Sequence, residues 1–187
     1  MDAQKKAFLY GISAVLLWST VASAFKISLR HLEPPQLVLW ATLSSLLALG
    51  GVLAVRGKLR SAFSCTRREA LLSLGLGLLN PFLYYLVLFE AYDRLPAQEA
   101  QPLNYTWAVV LGLLSIPLLG QRLTRADLLA TAVSYTGVVV ISTRGNLLDL
   151  RFSDPIGVGL ALGSTVIWAL YWIFNTRDAR DPVVGLF

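Results

Sequence analysis

The chain has 187 residues, of which 56% are hydrophobic and only 14% charged, with a formal net charge of +5 and a mean hydropathy of +0.62. A soluble domain is about a quarter charged, so this composition excludes a soluble globular enzyme, a disordered chain and a secreted disulfide scaffold. One cysteine and one histidine also exclude an internal disulfide and any metal or redox motif built on those residue types.

In chain order, the charge-free stretches are Ala7–Phe25, Pro34–Val55, Ala70–Phe89, Ala100–Gln121, Leu128–Thr143 and Pro155–Thr176, and every charged residue lies outside them. A hydrocarbon core about 30 Å thick needs a helix of roughly 20 apolar residues, range about 17–25. Five stretches meet that length outright, and Leu128–Thr143 meets it once Ala126 and Asp127 supply its first turn. The expected fold is all-α: a polytopic helical membrane protein with six transmembrane helices in a lipid bilayer. The N-terminal stretch reads as helix 1 and not as a removed signal peptide, because no small-residue cleavage site precedes Lys26 and five more spans follow. Connections are short, so neighbouring helices run antiparallel in one bundle. Close packing in lipid relies on small residues, and three rows are candidates: Gly159 with Gly163, Ser73 with Gly77, and Ala126 with Ala130 and Ser134.

A sequence pI near 9.6 would suggest nucleic acid in a soluble protein. Here the distribution of charge gives the better account. With a cytoplasmic N-terminus, one side receives Lys5, Lys6, Arg56, Lys58, Arg60, Arg67, Arg68, Arg122, Arg125, Arg177 and Arg180. The other receives Arg30, Arg94, Arg144 and Arg151, with Lys26 near it. That bias places both termini in the cytoplasm and makes the basic stretch 56–68 a topology signal, not a nucleic-acid site.

The chain carries a faint internal repeat. Trp18 in SAVLLWS and Trp168 in GSTVIWA sit mid-helix, and Glu33-Pro34-Pro35 and Asp181-Pro182-Val183 follow at matching distances. This describes a five-helix unit, residues 1–145, that begins again in an incomplete second unit at 154–187. An odd-numbered unit is inverted on repetition, as in many secondary transporters.

Three segments are more specific: AYDRLPAQEAQPLNYT (91–106), LLGQRLT (118–124) and DLLATAVSYTGVVVIST (127–143). With Pro102-Leu103, the turn Leu119–Thr124 and Gly137–Ile141, the chain resembles the EamA-type domain of the drug/metabolite transporter superfamily. The resemblance implies ten helices in two inverted five-helix repeats and export or exchange of metabolites through a central cavity. The chain departs from that pattern at Gln121, where a glutamate is usual, and at Trp40, where helix 2 often carries an arginine. It also stops at Phe187, where a seventh helix would begin. That implies a truncated product, a missing second half, or assembly as a homo-oligomer.

Charges within membrane helices are costly and usually functional. Lys26 lies roughly 28 Å along helix 1 at 1.5 Å per residue, and Glu90 reaches a similar height on helix 3. A lysine at a helix end ordinarily snorkels. The sharper expectation is that Lys26 and Glu90 pair at the outer mouth and gate it. Deeper in the bilayer, Asn80 beside Pro81 shares a helical face with Tyr84, four residues on. In helix 4, Gln98, Gln101 and Tyr105 recur at helical spacing, with Asn104 beside them. Amides and phenols both donate and accept hydrogen bonds, as recognition of a zwitterionic or polyhydroxylated solute requires. Helix–helix hydrogen bonding is the alternative use. Trp18 and Trp168, at matching repeat positions, are candidate cavity walls, whereas Trp107 and Trp172 read as packing.

No nucleophile elbow, dinucleotide loop or nucleotide-binding motif occurs in the sequence, so no cofactor and no enzymatic activity are expected. The expected function is secondary transport of a small-molecule solute, such as an amino acid, across the cytoplasmic membrane by alternating access. The rivals are a non-transporting assembly or regulatory subunit and an inactive gene fragment.

Overall fold

Proline and acid-amide pairs set the helix starts. The computed structural model describes residues 3–122, 124–143, 145 and 154–187. Among these, the α-helices are α1 (Ala3–Ser28), α2 (Pro34–Val55), α3 (Leu59–Phe63), α4 (Arg67–Gly77), α5 (Tyr84–Arg94), α6 (Ala97–Tyr105), α7 (Trp107–Leu119), α8 (Arg125–Ser142), α9 (Pro155–Asn175) and α10 (Pro182–Leu186). A π-type turn (Leu78–Leu83), kinked at Asn80 where the backbone leaves the helical region, joins α4 to α5. No strand occurs among the described residues. Gln36 reaches back to the Glu33 backbone N–H at 3.0 Å and Pro34 takes the first turn of α2, where no backbone donor is needed. Thr66 and Glu69 cap α4 reciprocally, and the Asp154 carboxylate accepts from Gly157 N–H at 2.9 Å to start α9. Gly120, at φ +68°, closes α7 in the left-handed conformation.

Among the described residues, five segments are long and apolar enough to cross a membrane: Gln4–Ser28, Pro34–Val55, Arg67–Arg94, Ala97–Leu119 and Pro155–Asn175. The sixth stretch forms α8, an 18-residue helix. It is not among those five and carries Arg125 and Asp127 in its first turn. The protein is an all-α, polytopic membrane protein. Of the cations that set the expected orientation, Arg144 and Arg151 lie outside the described residues.

The most deeply packed helix is α9. Half of its membrane-length window is buried, against 6% for α1, and its partners are α5, α6, α7 and the π turn. Gly157, Ala161, Ser164, Thr165 and Trp168 form its buried stripe. The expectation about small residues needs correction here. A Cβ added at Gly157 would meet Leu95 at 2.8 Å, whereas Gly159, Gly163 and Gly77 have nothing within 4 Å. Ala126, Ala130 and Ser134 are exposed. The close contact in this bundle lies two residues before the Gly159-x-x-x-Gly163 row, where the first turn of α9 meets Leu95 at the end of α5. Outward, α1 and α2 present Phe8, Ile12, Val15, Leu16, Leu39, Trp40 and Leu47, a surface untenable in water and ordinary in lipid.

Candidate functional site

Seven side chains were singled out as cavity candidates, and six of them line one cavity. It has a volume of about 270 Å³ and lies between α1, α5, α6 and α9, bounded by Trp18, Tyr84, Gln101, Asn104, Tyr105 and Trp168, with Phe25, Tyr85, Leu88 and Tyr92. Each helix contributes by its period. Tyr84, Leu88 and Tyr92 recur at i, i+4 and i+8 on α5, and Gln101, Asn104 and Tyr105 at i, i+3 and i+4 on α6.

Asn104 is the polar centre. It is buried, and its carbonyl accepts from the Tyr84 hydroxyl at 3.2 Å. Its amide donates to Ser164 Oγ at 3.1 Å, and Ser164 in turn donates to the Ala161 carbonyl at 2.7 Å. One asparagine thereby ties α6 to α5 and α9, the helix–helix use of such groups, while retaining capacity for one further acceptance and one further donation. Gln101 donates to the Tyr105 hydroxyl at 2.9 Å. Beside this network stands Trp168, its ring centroid 4.5 Å from that of Tyr84, 5.7 Å from Tyr171 and 6.4 Å from Trp107. The Trp168 indole N–H is buried with no hydrogen-bond partner. Trp107 and Trp172 pack around it edge-on, the packing role expected of them.

Asn80 is a correction. Helical spacing puts it on one face with Tyr84, but Asn80 has extended backbone (φ −145°, ψ 122°) within the π turn. A residue before proline favours that region, and the resulting kink re-aims everything beyond it. Asn80 therefore lines a different cavity, between α2 and the α4–α5 span, where its Oδ1 is buried without a hydrogen bond. The Lys26–Glu90 pair is a second correction. Glu90 pairs with Arg94 at 2.8 Å, one turn along its own helix. Lys26 donates instead to the Tyr92 carbonyl, and to that of Asp93 at 3.4 Å, where the last carbonyls of α5 lack helical partners. Arg94 also lies 3.8 Å from Asp154, linking the end of α5 to the start of α9.

Sequence reasoning passed over three kinds of residue here. Ser164 lies one turn before Trp168 and so shares its helical face, a signal that helical spacing would have given. Tyr85, Phe89 and Phe25 form an aromatic cluster, with Phe25 4.6 Å from Phe89 and 6.1 Å from Tyr85. Glu99 is buried at the start of α6, just outside the charge-free stretch that defined helix 4.

The EamA-like transporter family model matches residues 5–143, well over half of the chain. An aromatic amino acid exporter, YddG, of Ancylobacter novellus is 29% identical over 182 residues. That match takes in 96% of this chain, which spans 61% of the length of the curated relative. No solved structure matches significantly. On the family match, with its helices of membrane-crossing length, the chain belongs to the EamA-like transporter family.

Proposed function

We propose that the chain forms a secondary transporter of the cytoplasmic (inner) membrane, with both termini in the cytoplasm, that moves small aromatic metabolites by alternating access. Aromatic amino acids are the foremost candidates. The observation that carries this reading is the pairing of an aromatic wall with neutral polar groups in one cavity: Trp168 and Tyr84 stacked at 4.5 Å beside Asn104, Gln101 and Tyr105. A planar apolar body fits the rings, and a zwitterionic head group finds donors and acceptors in the amides and phenols. The Ancylobacter relative, an aromatic amino acid exporter, supports the same solute class.

Trp18 and Tyr105, 48% and 45% exposed, stand on the open side of the cavity. Closing it requires another helical face, from a second copy of this chain or a complementary second half. Proteoliposome flux tests the reading. Purified protein should release L-tryptophan and L-phenylalanine faster than L-leucine and faster than protein-free vesicles. Equal leak for all three would overturn transport and favour the non-transporting subunit.

A further inference from the structure

Nearly every buried donor in a folded protein is paired, and leaving one bare is costly. Trp168 departs from that rule. Its side chain is only 7% exposed, it lines the polar-aromatic cavity, and its indole N–H meets no acceptor.

A second donor stands beside it, and two routes lead from Trp168 to it. The Trp168 ring stacks on Tyr84 at 4.5 Å, and the Tyr84 hydroxyl donates to the Asn104 carbonyl at 3.2 Å. Ser164 lies one turn back from Trp168 on α9, a spacing of about 5–6 Å between Cβ atoms, and accepts from the Asn104 amide at 3.1 Å. That amide has a second hydrogen to give. An indole N–H and an amide N–H are thus neighbours at the junction of α5, α6 and α9. Two N–H donors suit the two oxygens of a carboxylate, an acceptor-only group, and hydrogen bonds to an ionised partner are about twice as strong as neutral ones. Gln101 gives its amide to Tyr105 and keeps a carbonyl that accepts from an ammonium. Aromatic rings also attract cations. However, none of the described residues lining the cavity is a carboxylate, and a bare N–H calls for an acceptor.

We propose that the Trp168 indole N–H, with the free hydrogen of the Asn104 amide, binds the carboxylate of the solute and so restricts the site to aromatic carboxylates. The proposal rests on the transport reading above and narrows it, because Trp168 then selects by its N–H as well as by its ring. In this conformation the N–H is covered, so solute entry includes a turn of the indole that presents it. Aromatic amines and alcohols without a carboxylate leave both donors bare and are rejected on that account.

Equilibrium binding to the detergent-purified 187-residue chain tests the assignment, since binding needs no flux. L-tryptophan should displace radiolabelled L-tryptophan at concentrations at least about tenfold below those required of L-tryptophanol or tryptamine. Incorporating the benzothiophene analogue of tryptophan at position 168 keeps the fused ring and removes only the N–H. It should weaken L-tryptophan about tenfold and leave L-tryptophanol within about twofold. Trp168→Phe should show the same loss of preference. Without solute, the benzothiophene protein should unfold at the same temperature or higher, because no bond within the protein is lost. A lower unfolding temperature would assign the N–H to the fold and overturn the proposal. So would equal affinity for L-tryptophan and tryptamine, a preference that survives removal of the N–H, or absence of saturable L-tryptophan binding. Carboxylate-selective binding without flux in proteoliposomes would instead overturn the transport reading alone.

Discussion

Asn104 and Trp168 supply the polar and the aromatic part of the proposed site. Asn104 holds three helices through two side-chain bonds, and Trp168 supplies the ring surface at their junction. A double-mutant cycle of Tyr84→Phe and Asn104→Leu, measured by unfolding in detergent, should give a coupling of about 0.6 kcal/mol. Its ceiling is near about 1.7 kcal/mol, the scale of interhelical hydrogen bonds in membranes. Coupling at zero would mean that the bond does not persist in the bilayer protein. These residues were readable from the sequence because helical period and residue type were enough to mark them. Lys26 and Glu90 were not, because matching heights say nothing about rotation around the helix axes. Arg94, at i+4 from Glu90, competes locally and wins. Asn80 was misplaced for a related reason: spacing arguments assume one unbroken helix, and the π turn breaks it.

At the scale of elements, α9 and the strap of residues 178–187, tied by Asp181 to Lys58 and by Arg180 to Ser73, behave oppositely. The packing of α9 depends on Gly157 lying against Leu95. Gly157→Leu should therefore destabilise the protein by about 1–3 kcal/mol through overpacking, while Gly159→Ala and Gly163→Ala should be tolerated in the same unfolding assay. The strap responds to acid. Hydrogen bonds from Arg180 hold the Asp178 carboxyl below its ordinary value of 3.8, and the Lys58 ammonium does the same for Asp181. The groups facing them are Arg180 within the strap, Lys58 from the end of α2, and Glu69 and Cys65 beside α4. A carboxyl lowered in the folded state contributes stability above its unfolded value and loses it as pH falls through the folded one. Stability towards unfolding in detergent should accordingly stay constant from about pH 8 to about 5 and fall only below about 4. A fall near about pH 6 would contradict carboxylate control. Helix starts at Glu33-Pro34, Thr66-x-x-Glu69 and Asp154-Pro155 were readable because caps are local chemistry. The strap was not, because its partners Lys58 and Ser73 are more than a hundred residues away.

For the whole molecule, segregation of charge from apolar stretches sufficed for an all-α membrane fold, since a lipid-spanning backbone must satisfy its own hydrogen bonds. The EamA-type motifs carried the family, and the match over residues 5–143 establishes it. Pairing of helices was beyond the reach of pattern, because every face in lipid is apolar and only tertiary packing distinguishes them. Trp18 and Trp168, which the faint sequence repeat pairs, line one cavity. The central claim is that this cavity selects and moves aromatic solutes. Counterflow of radiolabelled L-tryptophan in proteoliposomes, comparing the protein with Trp168→Ala and with the lipid-facing Trp40→Ala, tests it most directly. The account predicts saturable uptake that Trp168→Ala reduces at least about tenfold, the effect of losing roughly 1.4 kcal/mol of ring contact, and that Trp40→Ala leaves intact. Uptake no greater than in empty vesicles, or uptake equally fast in Trp168→Ala, would contradict it.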